Sequence, residues 1–217
     1  MICGVLFDLD GVIADTLHYH YLAWNFMFEK HGGSVSKKTV LLHEGRKSRE
    51  VLPILMEQAG VLIPEDSQDQ FIEEKRAYYR KIVRVAHYPR SFEVVHTLKR
   101  RGFKVALVTA SSFNNMAHAL NPGHQALFDS ILTGDEIKRA KPDPEAYLAA
   151  ARRLELEPDE CIVVENAPLG IEAAKAAGMQ CIAIESTLEQ DCLSSADCIV
   201  QNIGDLLDIP VLQRAAS

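Results

Sequence analysis

The chain has 217 residues, of which 47% are hydrophobic and 24% charged, and a formal net charge of −7. That length and apolar content suffice for one large domain or for a core with an insert, and they exclude a disordered chain. The acidic balance, with no block of lysine or arginine, argues against nucleic acid or an anionic membrane as partner. No apolar run reaches the length of a membrane span, and a cytoplasmic protein, monomeric or weakly dimeric, is expected.

The chain begins with an apolar strand, 4–7, that delivers Asp8-Leu9-Asp10 into a turn at Gly11. Side chains two apart on an extended segment project to one face, so Asp8 and Asp10 would lie side by side where the strand runs out. Two such carboxylates repel unless a cation intervenes, and a hard cation such as Mg²⁺ takes oxygen ligands together with substrate phosphate. The plain alternative is a polar strand end with two solvated acids.

From 16 to about 84 the pattern is helical throughout. Leu17, Tyr21, Trp24, Met27 and Phe28 share one face, as do Val51, Leu52, Leu55 and Met56. Almost a hundred residues separate the first strand from the second, far more than one crossover needs, so this stretch reads as an inserted helical cap. The expected division is a core of 1–15 and 86–217 and a cap of 16–85. Beyond the cap, a helix over 91–101 ends at Gly102 and a strand follows at 105–108. A helix over 113–120 is then stopped by Asn121-Pro122-Gly123, and further strands are expected at 131–133, 161–164, 181–184 and 198–200. Pro144, after Asp143 as cap, opens a helix to Leu154, and Pro168 opens one closed by Gly178. Strands alternating with helices imply a parallel sheet covered on both faces, a Rossmann-like three-layer α/β core. The five cysteines, Cys3, Cys161, Cys181, Cys192 and Cys198, include no Cys-x-x-Cys pair and read as reduced thiols.

Open parallel sheets bind ligands beyond the carboxyl ends of their strands, and polar chemistry stands there. The second strand runs into Thr109-Ala110-Ser111-Ser112, a hydroxyl and small residues leading into a helix that could grip an anion or could simply be its cap. Lys141-Pro142 follows the third strand, and Glu165-Asn166 ends the fourth. Each is weak alone, but each follows its own strand. Together they supply what phosphoryl transfer needs, a nucleophile in Asp8, neutralisation of the equatorial oxygens by Mg²⁺, Lys141 and Thr109, and a proton from Asp10.

These four motifs, FDLDGV, VTAS, KPDP and VVENAPLG, resemble those of the haloacid dehalogenase-like superfamily over essentially the whole chain. The resemblance implies that Asp8 forms an aspartyl phosphate and that Asp10 is the general acid which then activates water or an acceptor hydroxyl. It also implies that Mg²⁺ is held by Asp8, the backbone carbonyl of Asp10 and the fourth motif, Glu165 and Asn166, with Thr109, Ala110, Ser111 and Lys141 around the phosphate. Many relatives carry Glu-Asp where this chain has Glu165-Asn166, so either Glu165 carries the charge or Mg²⁺ binds more weakly. An aspartate at position 10 separates phosphatases and phosphomutases from the dehalogenases.

Within that superfamily the cap resembles the β-phosphoglucomutase group. By that resemblance His20 sits near the reacting hydroxyl, Arg49 holds a distal phosphate and Lys75 contacts sugar oxygens, with Arg46 able to replace Arg49 because the loop is one residue longer. The same residues could be a surface histidine and solvated cations. The expected function is a Mg²⁺-dependent phosphatase acting on a small phosphorylated metabolite, a sugar phosphate. A β-phosphoglucomutase-like phosphomutase is the enzymatic alternative, and a receiver-like or degenerate phosphate-binding module the non-enzymatic one.

Overall fold

The computed structural model describes residues 1–213 of the chain. Six strands form one fully parallel sheet: β1 (Gly4–Phe7), β2 (Lys104–Val108), β3 (Ser130–Leu132), β4 (Cys161–Glu165), β5 (Gln180–Ile184) and β6 (Cys198–Val200), in the order β3-β2-β1-β4-β5-β6. The order reverses direction at β1, so its carboxyl end opens into the crevice where such sheets take ligands. Alternate residues feed two cores. Val5, Phe7, Leu107 and Val164 pack on one face, and Leu6, Ala106, Val108 and Val163 on the other.

The inserted stretch is four helices, α1 (Leu17–Glu29), α2 (Lys37–Leu42), α3 (Ser48–Ala59) and α4 (Gln68–Ile82), interrupted by turns where the sequence suggests unbroken helix. Trp24, Met27, Phe28, Leu52, Leu55 and Phe71 form a hydrophobic cluster separate from those of the sheet, while Leu17 and Leu41 join the sheet's cluster. The two linkers run side by side: Asp15 N–H donates to Ala86 O at 2.9 Å and Tyr88 N–H to Ile13 O at 3.0 Å.

Helices α5 (Ser91–Arg100), α6 (Phe113–Ala119), α7 (Pro122–Gln125), α8 (Glu145–Arg153) and α9 (Pro168–Ala176) complete the layers. Asn121-Pro122-Gly123 does not only stop a helix. The Asn121 side chain accepts from His124 N–H at 2.9 Å and starts the short α7. Asp143 is not the cap of α8: Pro144 takes that position, and Asp143 stands one residue before it with its Oδ1 accepting from Glu145 N–H at 2.9 Å. Among the described residues, which include all five cysteines, none forms a disulfide, and Cys161 and Cys181 are buried in the sheet. Among the described residues no helix is long and apolar enough to cross a membrane.

Candidate active site

Asp8 and Asp10 follow directly on β1 and are both buried. The turn after them is tight. Leu9 O accepts from Ile13 and Ala14 N–H, and Gly11 takes φ +92°, where a side chain would run into the Asn166 amide 2.1 Å from the site of its Cβ.

The two carboxylates have different neighbours. Lys141 Nζ donates to Asp8 Oδ1 at 2.5 Å and to Glu165 Oε1 at 2.6 Å. Burial opposes the charge on Lys141, but the two carboxylates outweigh it and hold its pKa well above the ordinary lysine value. Asp10 is surrounded by hydroxyls: Thr16 Oγ1 donates to Oδ1, Ser111 Oγ to Oδ2 at 2.9 Å, and Thr109 Oγ1 to Oδ2 at 3.5 Å. Thr109 also accepts from Ser111 N–H at 3.0 Å.

Glu165 is fully committed to protein donors. Besides Lys141, its Oε1 accepts from Tyr147 OH at 2.6 Å, and its Oε2 accepts from the backbone N–H of Asn166 at 2.9 Å and of Ala167 at 3.2 Å. Burial pushes the Tyr147 phenol well above its usual pKa, so it remains a donor. Asn166 is different. Its Nδ2 donates to Thr187 Oγ1 at 3.0 Å while its Oδ1 is buried without a hydrogen-bond partner. A buried acceptor lacking a donor is where a cation fits, and the set of Asp8 carboxylate, Asp10 carbonyl and Asn166 amide oxygen suits a hard cation. Among the described residues no three His, Cys, Asp or Glu side chains form a metal cage of their own.

A cavity of about 480 Å³ lies between cap and core, lined among others by His20, Trp24, Glu44, Arg46, Ser111 and Lys75. Lys75 is buried, with Nζ 4.8 Å from the centroid of the Trp24 ring and 3.1 Å from His20 Nδ1. Burial lowers its pKa to about 8. His20, stacked on Tyr79 at 4.1 Å, is driven well below the ordinary histidine value by burial and then by Lys75, so it is neutral. With Nδ1 accepting from the ammonium, its proton sits on Nε2, buried, unpartnered and 3.8 Å from Asp10 Oδ1. Arg46 and Arg49 both line the cavity, but Arg49 is exposed and paired with Asp69 at 2.8 Å, whereas Arg46 Nε is buried without a partner.

Of the residues expected from the sequence, Asp8, Asp10, Thr109, Ser111, Lys141, Glu165 and Asn166 converge at the sheet edge, Ala110 lines the adjoining cavity, and His20 and Lys75 face them from the cap. Thr16, Glu44, Tyr147, Ser186 and Thr187 were not anticipated. Tyr147 had a signal, since a tyrosine on the buried face of α8 needs a partner for its hydroxyl.

The model for haloacid dehalogenase-like hydrolases matches residues 5–184. The chain belongs to that family. It is 30% identical over 204 residues to validoxylamine A 7'-phosphate phosphatase of Streptomyces hygroscopicus subsp. limoneus, covering 93% of this chain and 94% of that one. It is 32% identical over 182 residues to a phosphorylated carbohydrates phosphatase of Thermotoga maritima, covering 82% of each. The crystal structure of β-phosphoglucomutase from Clostridium difficile superposes with a TM-score of 0.83 at 30% identity, covering 95% of this chain and 93% of that one. A haloacid dehalogenase-like hydrolase therefore has its four motifs here on a Rossmann-like core beneath a helical insert.

Proposed function

We propose that this hydrolase is a Mg²⁺-dependent phosphatase that cleaves a small phosphorylated metabolite, a sugar phosphate, through an aspartyl phosphate on Asp8. The observation that carries the reading is the unlike environment of two adjacent carboxylates: Asp8 bears an ammonium and Asp10 bears hydroxyls. An Asp8 oxygen bonds to phosphorus as the ester O–P bond breaks, and Asp10 gives the leaving oxygen its proton. Water then attacks the same phosphorus and passes its proton to Asp10, the Asp8–phosphorus bond breaks, and inorganic phosphate leaves. The hydroxyls of Thr16, Thr109 and Ser111 orient Asp10 for both transfers.

The cation would be held by the Asp8 carboxylate, the Asp10 carbonyl and Asn166 Oδ1, where it offsets charge on the phosphoryl oxygens. Glu165, with its oxygens committed, positions Lys141 for that phosphoryl group and is not a ligand in this reading. A cavity of about 480 Å³ is of the size that encloses a monosaccharide phosphate, and its polar wall of His20, Glu44 and Lys75 suits hydroxyl groups. The relatives' names support that substrate class.

The test is a Mg²⁺ assay over phosphorylated sugars, nucleotides and small acids, with phosphate release and isomer formation followed together. Release should dominate and vanish in a folded Asp8→Asn variant, and undiminished activity of that variant would remove Asp8 as nucleophile. Asp10→Asn should slow alkyl esters more than aryl phosphates. Conversion of β-glucose 1-phosphate to glucose 6-phosphate faster than phosphate release would make the protein a phosphomutase, a reading that the similarity to β-phosphoglucomutases supports.

A further inference from the structure

The loop after β5 touches the site at two points. Ser186 Oγ donates to Gly11 O at 2.6 Å, and Thr187 Oγ1 accepts from Asn166 Nδ2 at 3.0 Å. The amide itself lies against Gly11, in the turn that carries Asp10, and it is almost wholly buried. A carboxylate at position 166 would present oxygen whichever way it turned. An amide presents oxygen in one orientation and a repelling NH₂ in the other. This chain therefore has a requirement that a relative with aspartate there lacks: something must take up the NH₂ so that oxygen is left facing the cation.

We propose that Thr187 is a positioning residue for the cation site, its hydroxyl taking up the Asn166 NH₂ so that Oδ1 is left as the ligand end of the amide. The inference rests on the cation-dependent reading of the site. Without the hydroxyl, turning Oδ1 to the cation leaves a buried NH₂ unsatisfied, and flipping the amide to satisfy it removes the ligand oxygen. Either way cation affinity falls, though Thr187 does not itself ligate. Partners of this outer kind change metal affinity by roughly 10- to 100-fold when removed. Ser186, by holding Gly11 O, keeps the turn against which the amide packs.

The experiment is calorimetric titration of the chelator-stripped full chain with Mg²⁺, in the absence of substrate, for four proteins in a cycle plus one rescue. Thr187→Val, close in shape, should weaken Mg²⁺ binding about 10-fold or more, and Thr187→Ser should restore it. Asn166→Asp should bind more tightly than the parent, and adding Thr187→Val to that background should produce no weakening, because no NH₂ remains to be held and the freed carboxylate oxygen is available to the cation. Far-UV circular dichroism and the thermal midpoint without Mg²⁺ establish that each variant is folded. Equal weakening by Thr187→Val in both backgrounds would mean a merely structural loop and overturn the proposal, as would unchanged affinity of the single variant. If the parent chain itself takes up no divalent cation, the cation reading of the site falls and this proposal with it, whereas parental binding with an indifferent Thr187→Val defeats the proposal alone.

Discussion

Gly170, third residue of α9, is where the polar site and the packing of the sheet meet. A Cβ built there would lie 1.8 Å from Glu165 Oε1 and 2.0 Å from its Cδ. To reach ordinary van der Waals distance the carboxylate would have to withdraw by roughly 1.5 Å. Withdrawal of that size parts Oε1 from Lys141 Nζ and Tyr147 OH, both now at 2.6 Å. Alanine in a helix gains about 1 kcal/mol over glycine, but parting a buried ion pair costs roughly 3–5 kcal/mol, so a net loss of about 2–4 kcal/mol is expected. Urea denaturation of Gly170→Ala beside the parent measures it, and turnover should fall with it because Lys141 loses one of its two anchors. A variant as stable as the parent, with undiminished turnover, would refute the claim that Glu165 is fixed against this helix.

Glu44 faces the cavity half-buried, and burial, then Asp10, raise its pKa to about 7 from an ordinary 4.5, with Lys75, Lys141 and the Gly45 N–H opposing. The folded chain thus holds a proton that the unfolded chain has lost, and stability falls as pH rises from about 5 to 7 and then levels. At about 1.4 kcal/mol per pKa unit, discounted for partial exposure, Glu44→Gln should remove roughly 1–2 kcal/mol of that loss. Denaturation at pH 5 and pH 8 tests this, and an equal pH dependence in parent and variant would contradict it. At the cavity wall Arg46 has an unpartnered buried Nε while Arg49 is engaged by Asp69. Arg46→Ala should therefore raise KM for the best phosphorylated sugar more than Arg49→Ala does, and the reverse order would return the anion contact to Arg49.

The strands were legible because a parallel sheet buried on both faces needs short β-branched runs, and each of the six was recognisable as one. The four motifs were legible because each polar group directly follows a strand, so position along the chain translates into position at the sheet edge. What could not be read were partners. Asn166 and Thr187 are 21 residues apart, and Ser186 and Gly11 are 175 apart. Tyr147 lies on a helix face otherwise made of alanines, and the pattern that buries it says nothing of where its hydroxyl ends. The family resemblance implies Glu165 and Asn166 together as ligands, and it does not say which way each side chain turns. On a strand adjacent side chains point opposite ways, and here one turns to Lys141 while the other turns to the Gly11 loop.

That separation also explains why an amide is workable at position 166. At the sheet edge Asp8, Asp10 and Glu165 supply three carboxylates against the ammonium of Lys141, so a divalent cation brings these four groups to neutrality. A fourth carboxylate would leave the loaded site with a net negative charge in a buried crevice, where repulsion of a dianionic phosphate is weakly screened. Asn166 thus trades attraction for the cation against tolerance of the anion. It follows that Asn166→Asp, while tightening Mg²⁺, should weaken inhibition of the loaded enzyme by inorganic phosphate. Phosphate inhibition constants measured at saturating Mg²⁺ decide the point, and tighter inhibition in the variant would mean that the cation's added hold on phosphate outweighs the extra charge.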